Sequence, residues 1–260
     1  MAYTDIDKPS DYFDTLLYSG TGSSNAITGL DFQPDWVSIK KRSAAGSGNV
    51  YDSVRGALKH ISTNLTAAEE TESSGAGLTT FGSNGFTVGT EPTGNGSVNQ
   101  SSQTYVGWCW KAGTSFTNDA SSTGIGTIDS AGSVNNDSGF SIVSYTGTGS
   151  NGTVKHGLNS VPKMFIVKEL SNANSWEVYH VSQGAGKNAQ LNTTAAFESA
   201  GSSRWNSTAP TSSVFSIGTD SGVNRSSSNY IAYCFADVQG YSKFSSYTGN
   251  GNADGTFVYT

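Results

Sequence analysis

The chain echoes itself, and any fold proposed for it must accommodate the echo. Tyr18-Ser19-Gly20-Thr21-Gly22 returns as Tyr145-Thr146-Gly147-Thr148-Gly149 and again as Tyr247-Thr248-Gly249-Asn250-Gly251. Downstream of the first two copies the order of blocks is kept. Pro34-Asp35-Trp36-Val37-Ser38-Ile39-Lys40 is answered by Pro162-Lys163-Met164-Phe165-Ile166-Val167-Lys168, with the same distance from Pro to Lys. Tyr51 matches Tyr179, Asn64-Leu65-Thr66 matches Asn192-Thr193-Thr194, and Phe86-Thr87-Val88-Gly89 matches Phe215-Ser216-Ile217-Gly218. Each unit closes on an aromatic run, Tyr105-Val106-Gly107-Trp108-Cys109-Trp110 and Tyr230-Ile231-Ala232-Tyr233-Cys234-Phe235. Order kept while spacing drifts is the mark of a shared fold with variable surface loops.

The repeated blocks read as strands. Trp36 to Lys40 alternates apolar and polar, and Phe165-Ile166-Val167 is a continuous apolar run that suits a strand buried on both faces. Pro34 and Pro162 fall at strand entrances, where a missing N–H is tolerated. Short strands with turn signals about every ten residues indicate a sandwich or barrel. The expected fold is all-β: two tandem β-sandwich, jelly-roll-like domains plus the start of a third repeat. Residues 1–112 form the first with an N-terminal arm, and residues 113–139 a Gly/Ser/Thr/Asn-rich linker with at most one edge strand. Residues 140–238 form the second, and residues 239–260 begin the third. Trp36, Ile39 and Trp108 are expected in core positions equivalent to those of Met164, Val167 and Tyr233. The stretch from Ile61 to Glu72 reads as a short helix or a polar excursion, with Glu69, Glu70 and Glu72 on a solvated face.

Charge narrows the partners. A net charge of −6 with Lys40-Lys41-Arg42 as the one basic triplet does not suit nucleic acid, because neutralising phosphates needs clustered cations. The N-terminus lacks the cationic start and apolar run of a signal peptide, and no stretch has the length and apolarity to insert in a bilayer, so synthesis in a host cytoplasm is expected.

The chemistry of catalysis is sought without success. Cys109 and Cys234 occupy equivalent places beside large aromatics, so each reads as a small core residue and the two are not expected to meet in a disulfide. His60, His156 and His180 show no zinc spacing, and no Gly-x-Ser-x-Gly nucleophile turn precedes a helix. No metal, cofactor or catalytic residue is expected. Gly147, Gly149 and Gly152 satisfy a Gly-x-Gly-x-x-Gly spacing, but Thr153-Val154-Lys155-His156-Gly157 reads as strand and turn, so a hairpin is expected there. Trp176 and Trp205 lie in loop-like sequence with no aromatic at the matching place in the first unit. They read either as sugar-stacking platforms or as ordinary core residues.

The run Lys8-Pro9-Ser10-Asp11-Tyr12-Phe13-Asp14, the block Thr28-Gly29-Leu30-Asp31-Phe32-Gln33-Pro34-Asp35-Trp36-Val37 and the stretch Tyr51-Asp52-Ser53-Val54-Arg55-Gly56 resemble a repeat of structural and tail-fibre-like virion proteins from phages of marine bacteria. Phe140-Ser141-Ile142-Val143-Ser144-Tyr145-Thr146-Gly147 is similar to that family's following repeat. The resemblance implies a non-enzymatic virion component at a tail-fibre or surface-appendage location. Its partners would be other virion proteins, copies of itself and host surface glycan. A capsid decoration protein is a variant of that reading. A host-glycan depolymerase is a reading of another class, and it would need paired carboxylates; Asp31 and Asp35 become Asn159 and Lys163 in the second copy. Members of the resembled family continue past the start of the third repeat, which favours a piece of a longer repeat protein. Tyr241, Phe244, Tyr247, Phe257 and Tyr259 give the last segment the apolar content of paired strands without length for a core, so it is expected to drive assembly.

Overall fold

The computed structural model describes residues 4–90 and 97–257. The first half contains β1 (Phe13–Ser19), β2 (Asn25–Thr28), β3 (Trp36–Lys41), β4 (Gly48–Asp52), β5 (Lys59–Ser62), β6 (Glu70–Thr71), β7 (Leu78–Gly82), β8 (Gly85–Val88) and β9 (Thr104–Trp110). Then come β10 (Thr114–Asn118), a helical turn α1 (Ala120–Thr123) and β11 (Ser130–Asn135). The second half contains β12 (Phe140–Thr146), β13 (Gly152–Lys155), β14 (Met164–Glu169), β15 (Trp176–His180), β16 (Lys187–Gln190), β17 (Glu198–Ser199), β18 (Val214–Ile217), α2 (Ser221–Asn224) and β19 (Asn229–Phe235).

The fold is all-β and sandwich-like. One large sheet runs β1-β9-β3-β4-β5-β6, and the other repeats that order as β12-β19-β14-β15-β16-β17 with β11 and β10 added outside β12. Registers agree as well: Tyr18 faces Tyr105 as Tyr145 faces Tyr230, and Val37 faces Cys109 as Phe165 faces Cys234. Each large sheet buries one face against a small sheet, β2-β8-β7 in the first half and β13-β18 in the second. Ile27, Phe86 and Val88 meet Val37, Ile39, Tyr105 and Cys109 in one core; Val154, Phe215 and Ile217 meet Phe165, Val167, Tyr230 and Cys234 in the other. Alternation puts the remaining side chains on the opposite face of each large sheet, and there Trp36, Val50, Ile61 and Trp110 pack on Phe140, Ile142, Trp176 and Tyr233.

Several expectations change. The segment 113–139 is not a bare linker. β10 and β11 form a hairpin on the edge of β12, Asp119 caps α1 by accepting from Ser122 N, and Phe116 packs on the second core. Backbone pairing and one aromatic compensate for its poverty in aliphatics, helped by Gly132, where an added Cβ would strike Ile142 O. Trp108, expected in the core, is 36% exposed. It shares the Trp110 face of β9 but stands beyond the part that the second sheet covers. Trp36 and Met164 are only partly buried, whereas Ile39, Val167 and Tyr233 are fully so. The stretch from Ile61 to Glu72 completes β5 and supplies β6, so it is strand and turn rather than helix. Its acids are not a uniformly solvated face either: Glu69 pairs with Arg55 and Lys59, and Glu72 Oε1 lies 2.8 Å from the buried His60 Nδ1.

Candidate assembly site

The element that recurs three times in sequence is, in its first two copies, the most completely specified piece of the structure. The rings of Tyr18 and Tyr105 stack with centroids 5.2 Å apart, and those of Tyr145 and Tyr230 at 5.1 Å. Tyr18 Oη donates to Val98 O and Tyr145 Oη to Val223 O, each at 2.7 Å. The partner tyrosines accept in turn: Gln100 N reaches Tyr105 Oη at 2.9 Å and Arg225 N reaches Tyr230 Oη at 2.6 Å. Burial first, then the neighbouring Tyr230, raises the Tyr145 phenol well above its ordinary value, and burial pushes Tyr230 up to about 12. Both therefore stay neutral and serve as hydrogen-bonding wedges.

An asparagine closes each turn. Asn99 Nδ2 donates to Ser23 O and Gly89 O at 2.6 Å each, while its Oδ1 accepts from Thr21 N at 3.0 Å. Asn224 does the same with Ser150 O, Gly218 O and Thr148 N at 2.6, 2.7 and 2.7 Å. Its backbone oxygen accepts from Gly149 N, as that of Asn99 accepts from Gly22 N. Gly22 and Gly149 sit at φ of 75° and 77°, a left-handed conformation that glycine adopts without strain. At Gly20 an added Cβ would strike Gln100 O and at Gly147 it would strike Arg225 O, so both glycines are required by close approach of the closing loop. Sequence reasoning missed the two asparagines. Their signal is spacing, since each precedes its closing tyrosine, Tyr105 or Tyr230, by the same interval.

The third copy begins beside the N-terminal arm. Asp5 N donates to Gln239 O, Tyr241 packs edge-on to Tyr12 with centroids 6.2 Å apart, and Phe244 lies 5.6 Å from Phe235. Tyr241 and Phe244 thereby line a cleft of about 330 Å3 with Phe13, Trp110, Phe140 and Phe235. Beyond Phe244 no strand is formed among the described residues, contrary to the paired strands that the apolar content suggests; Tyr247 is 71% and Phe257 86% exposed. Tyr259 lies outside the described residues.

The remaining candidates are occupied in holding the fold. Trp176 and Trp205 are buried, and their indoles donate to Ser62 O at 3.0 Å and Lys187 O at 3.1 Å, so neither presents a face to a sugar. Burial pushes both thiols up to about 12, helped by Asp14 at Cys109, and both cysteines are free. Burial pulls His156 down to about 4, and its Nδ1 accepts from Leu158 N. Asp35 accepts from Ser53 Oγ and Ala112 N, both at 2.8 Å, while Asp31 pairs with Lys8 on the surface. Gly147 and Gly149 belong to the closed hairpin turn and Gly152 opens β13, a strand rather than a helix.

Between the large sheets, Tyr233 Oη donates to Asp52 Oδ2 at 2.7 Å, and the same carboxylate takes Arg55 Nε at 2.5 Å. Burial opposes the charge on Arg55, but Asp52, Tyr233 and Glu69 together outweigh it and raise the guanidinium further above its ordinary value. Arg55, Lys59 and Glu69 also border an open polar groove of about 600 Å3 facing Ser130, Ser144 and Asn229. Among the described residues no group of three or more His, Cys, Asp or Glu is placed to hold a metal ion, and no helix is long and apolar enough to cross a membrane.

Neither a curated protein nor a solved structure matches the chain. A domain of unknown function, DUF7483, matches residues 8–260, which takes in both closed turns and the third, and the chain belongs to that family.

Proposed function

We propose that the protein is a non-enzymatic structural module of a bacteriophage virion, a tail-fibre or surface-appendage component that serves assembly and host adhesion. The observation that carries the assembly part is the contrast within the repeated turn. Two copies are closed by an asparagine and a tyrosine, while the third leaves the aromatic side chains of Tyr247 and Phe257 open to solvent. Exposed apolar surface of this kind commonly marks a protein interface. The resemblance to virion repeat proteins supplies the phage setting.

The experiment is incorporation into particles. A chain ending after Phe244 keeps the aromatic cleft and both sheets, so it should fold with an unchanged melting temperature and yet be missing from purified virions. Incorporation at the level of the full chain would sink the reading. A density map of the virion separates an appendage from a capsid decoration.

A further inference from the structure

We infer that the joint between the two large sheets responds to pH through the amine of Lys168, closing more tightly when that amine is neutral than when it is charged.

Lys168 lies on the face of β14 that meets the first half, in step with Ile166 and Leu170, and it is completely buried. Its Nζ donates to Glu169 O at 2.7 Å and, across the joint, to Thr66 O at 3.3 Å. Thr66 belongs to the segment that connects β5 to β6 and straps the halves together. Thr66 O also accepts from Asn174 N at 2.8 Å, and Glu69 N donates to Leu170 O at 3.0 Å. An ammonium has three N–H groups and a neutral amine two. The two carbonyls are the acceptors of Lys168 among the described residues, so they match the neutral amine and leave one N–H of the buried ammonium unmet, which is costly. The matching lysine of the first sheet, Lys40, donates to Gly46 O and is only partly buried. One strand position thus carries a solvated cation in the first half and an enclosed one in the second.

No carboxylate pairs with Lys168 among the described residues. Glu169, on the same strand, accepts from Asn172, Asn174 and Arg225, and Glu69 on the strap is taken by Arg55 and Lys59. Trp176 and Ile231, which flank Lys168 on β15 and β19, are uncharged, as are the residues of α2, which packs on β14. Burial accordingly pulls the amine down to about 8, against the opposing pull of Glu169. The ordinary value is 10.5, so below pH 8 folded and unfolded chains both hold the proton and the penalty is full. Between pH 8 and 10.5 the folded chain releases it first, and stability rises with pH.

The test follows the side chain itself, by NMR of a carbon-labelled lysine Cε assigned to Lys168 through its backbone in the full chain. A titration midpoint near pH 8 is expected, and no titration below pH 10 would overturn the inference. Urea denaturation reads the consequence. From pH 7 to 9 the unaltered chain should shift toward the folded state by up to about tenfold relative to Lys168→Met, whose other groups titrate alike. Protection factors of the Glu69 and Asn174 amides, corrected for intrinsic exchange, should rise over the same interval in the unaltered chain and stay level in Lys168→Met. An equal rise in the variant would place the response at another group, and no rise in the unaltered chain would show that the joint ignores the amine; either result sinks the inference. If Lys168→Met does not fold, the NMR midpoint and the amide protection of the unaltered chain decide between the same outcomes.

Discussion

At the end of β4 in the first half stands Asp52, buried and shared between Arg55 and Tyr233; at the same place in β15 stands His180, partly exposed and bonded to Ser182. Three residues earlier the contrast reverses. Asn49 in β4 is a neutral side chain that accepts from Ser62 Oγ, while Glu177 in β15 is a buried carboxylate held by Asn188, Gln190 and Arg204. Strand order, register and the Tyr–Asn turn are the same in both halves, yet the buried charges are solved independently. A buried charge needs only a local partner, and many pairings satisfy it. The turn fixes where a strand starts, where it reverses and which strand closes it, so few sequences serve. The two halves thus teach that the turn is the shared architecture and the charges are local repairs to it.

The largest expected break of this comparison is at the charge confined to one half. Asp52→Ala leaves Arg55 buried without its main partner and deprives Tyr233 of its acceptor. It should cost about 3–5 kcal/mol in urea denaturation, whereas His180→Ala, at the equivalent place, should cost less than about 1 kcal/mol. Comparable losses would mean that the two positions share a role.

Acid should next separate the halves. His156 has a glycine, Gly29, at the matching place in the first half. Its pKa is held down at about 4 in the folded chain, with burial the cause, against 6.5 when exposed. Above pH 6.5 neither state binds the proton and the full stability is present. As pH falls the unfolded chain takes the proton first, and stability drops by up to about 3 kcal/mol between pH 6.5 and 4. His156→Gln should flatten that slope, and an unchanged slope would contradict the assignment.

The turn asparagines sharpen the comparison from the other side. Asn99→Ala and Asn224→Ala each strand buried carbonyl and amide groups, and each should cost about 1–3 kcal/mol. Equal scaffolding predicts that the two losses agree within about 1 kcal/mol. The smallest effect belongs to Trp108→Ala, about 1 kcal/mol or less by thermal melting, because the inter-sheet contact stops short of this ring.

The order of blocks, the turn signature and the strand character of both halves were legible because each is written twice in one chain. The strand entrances after Pro34 and Pro162 followed from local rules, and β3 and β14 begin two residues later. Long-range geometry was less visible. Nothing near Trp176 or Trp205 in sequence announces that Ser62 and Lys187 supply acceptors for their indoles. Trp108 and Trp110 share one face of β9, and only the placement of the second sheet decides that one is covered. The β10–β11 hairpin hid behind small polar residues because its stability comes from backbone pairing to β12 more than from apolar side chains. Asn99 and Asn224 were lost among many asparagines, although their matched distance to Tyr105 and Tyr230 was present in the sequence.

Amide hydrogen exchange read at all three turns of the isolated chain separates the two closed turns from the open one, since protection reports closure residue by residue. The account predicts slow exchange at Gly20, Gly22, Gly147 and Gly149, which donate to backbone carbonyls of the closing loops, and fast exchange at Gly249 and Gly251. Protection of Gly249 and Gly251 in the isolated monomer, equal to that of their counterparts, would show the third turn already closed by its own chain and contradict the account.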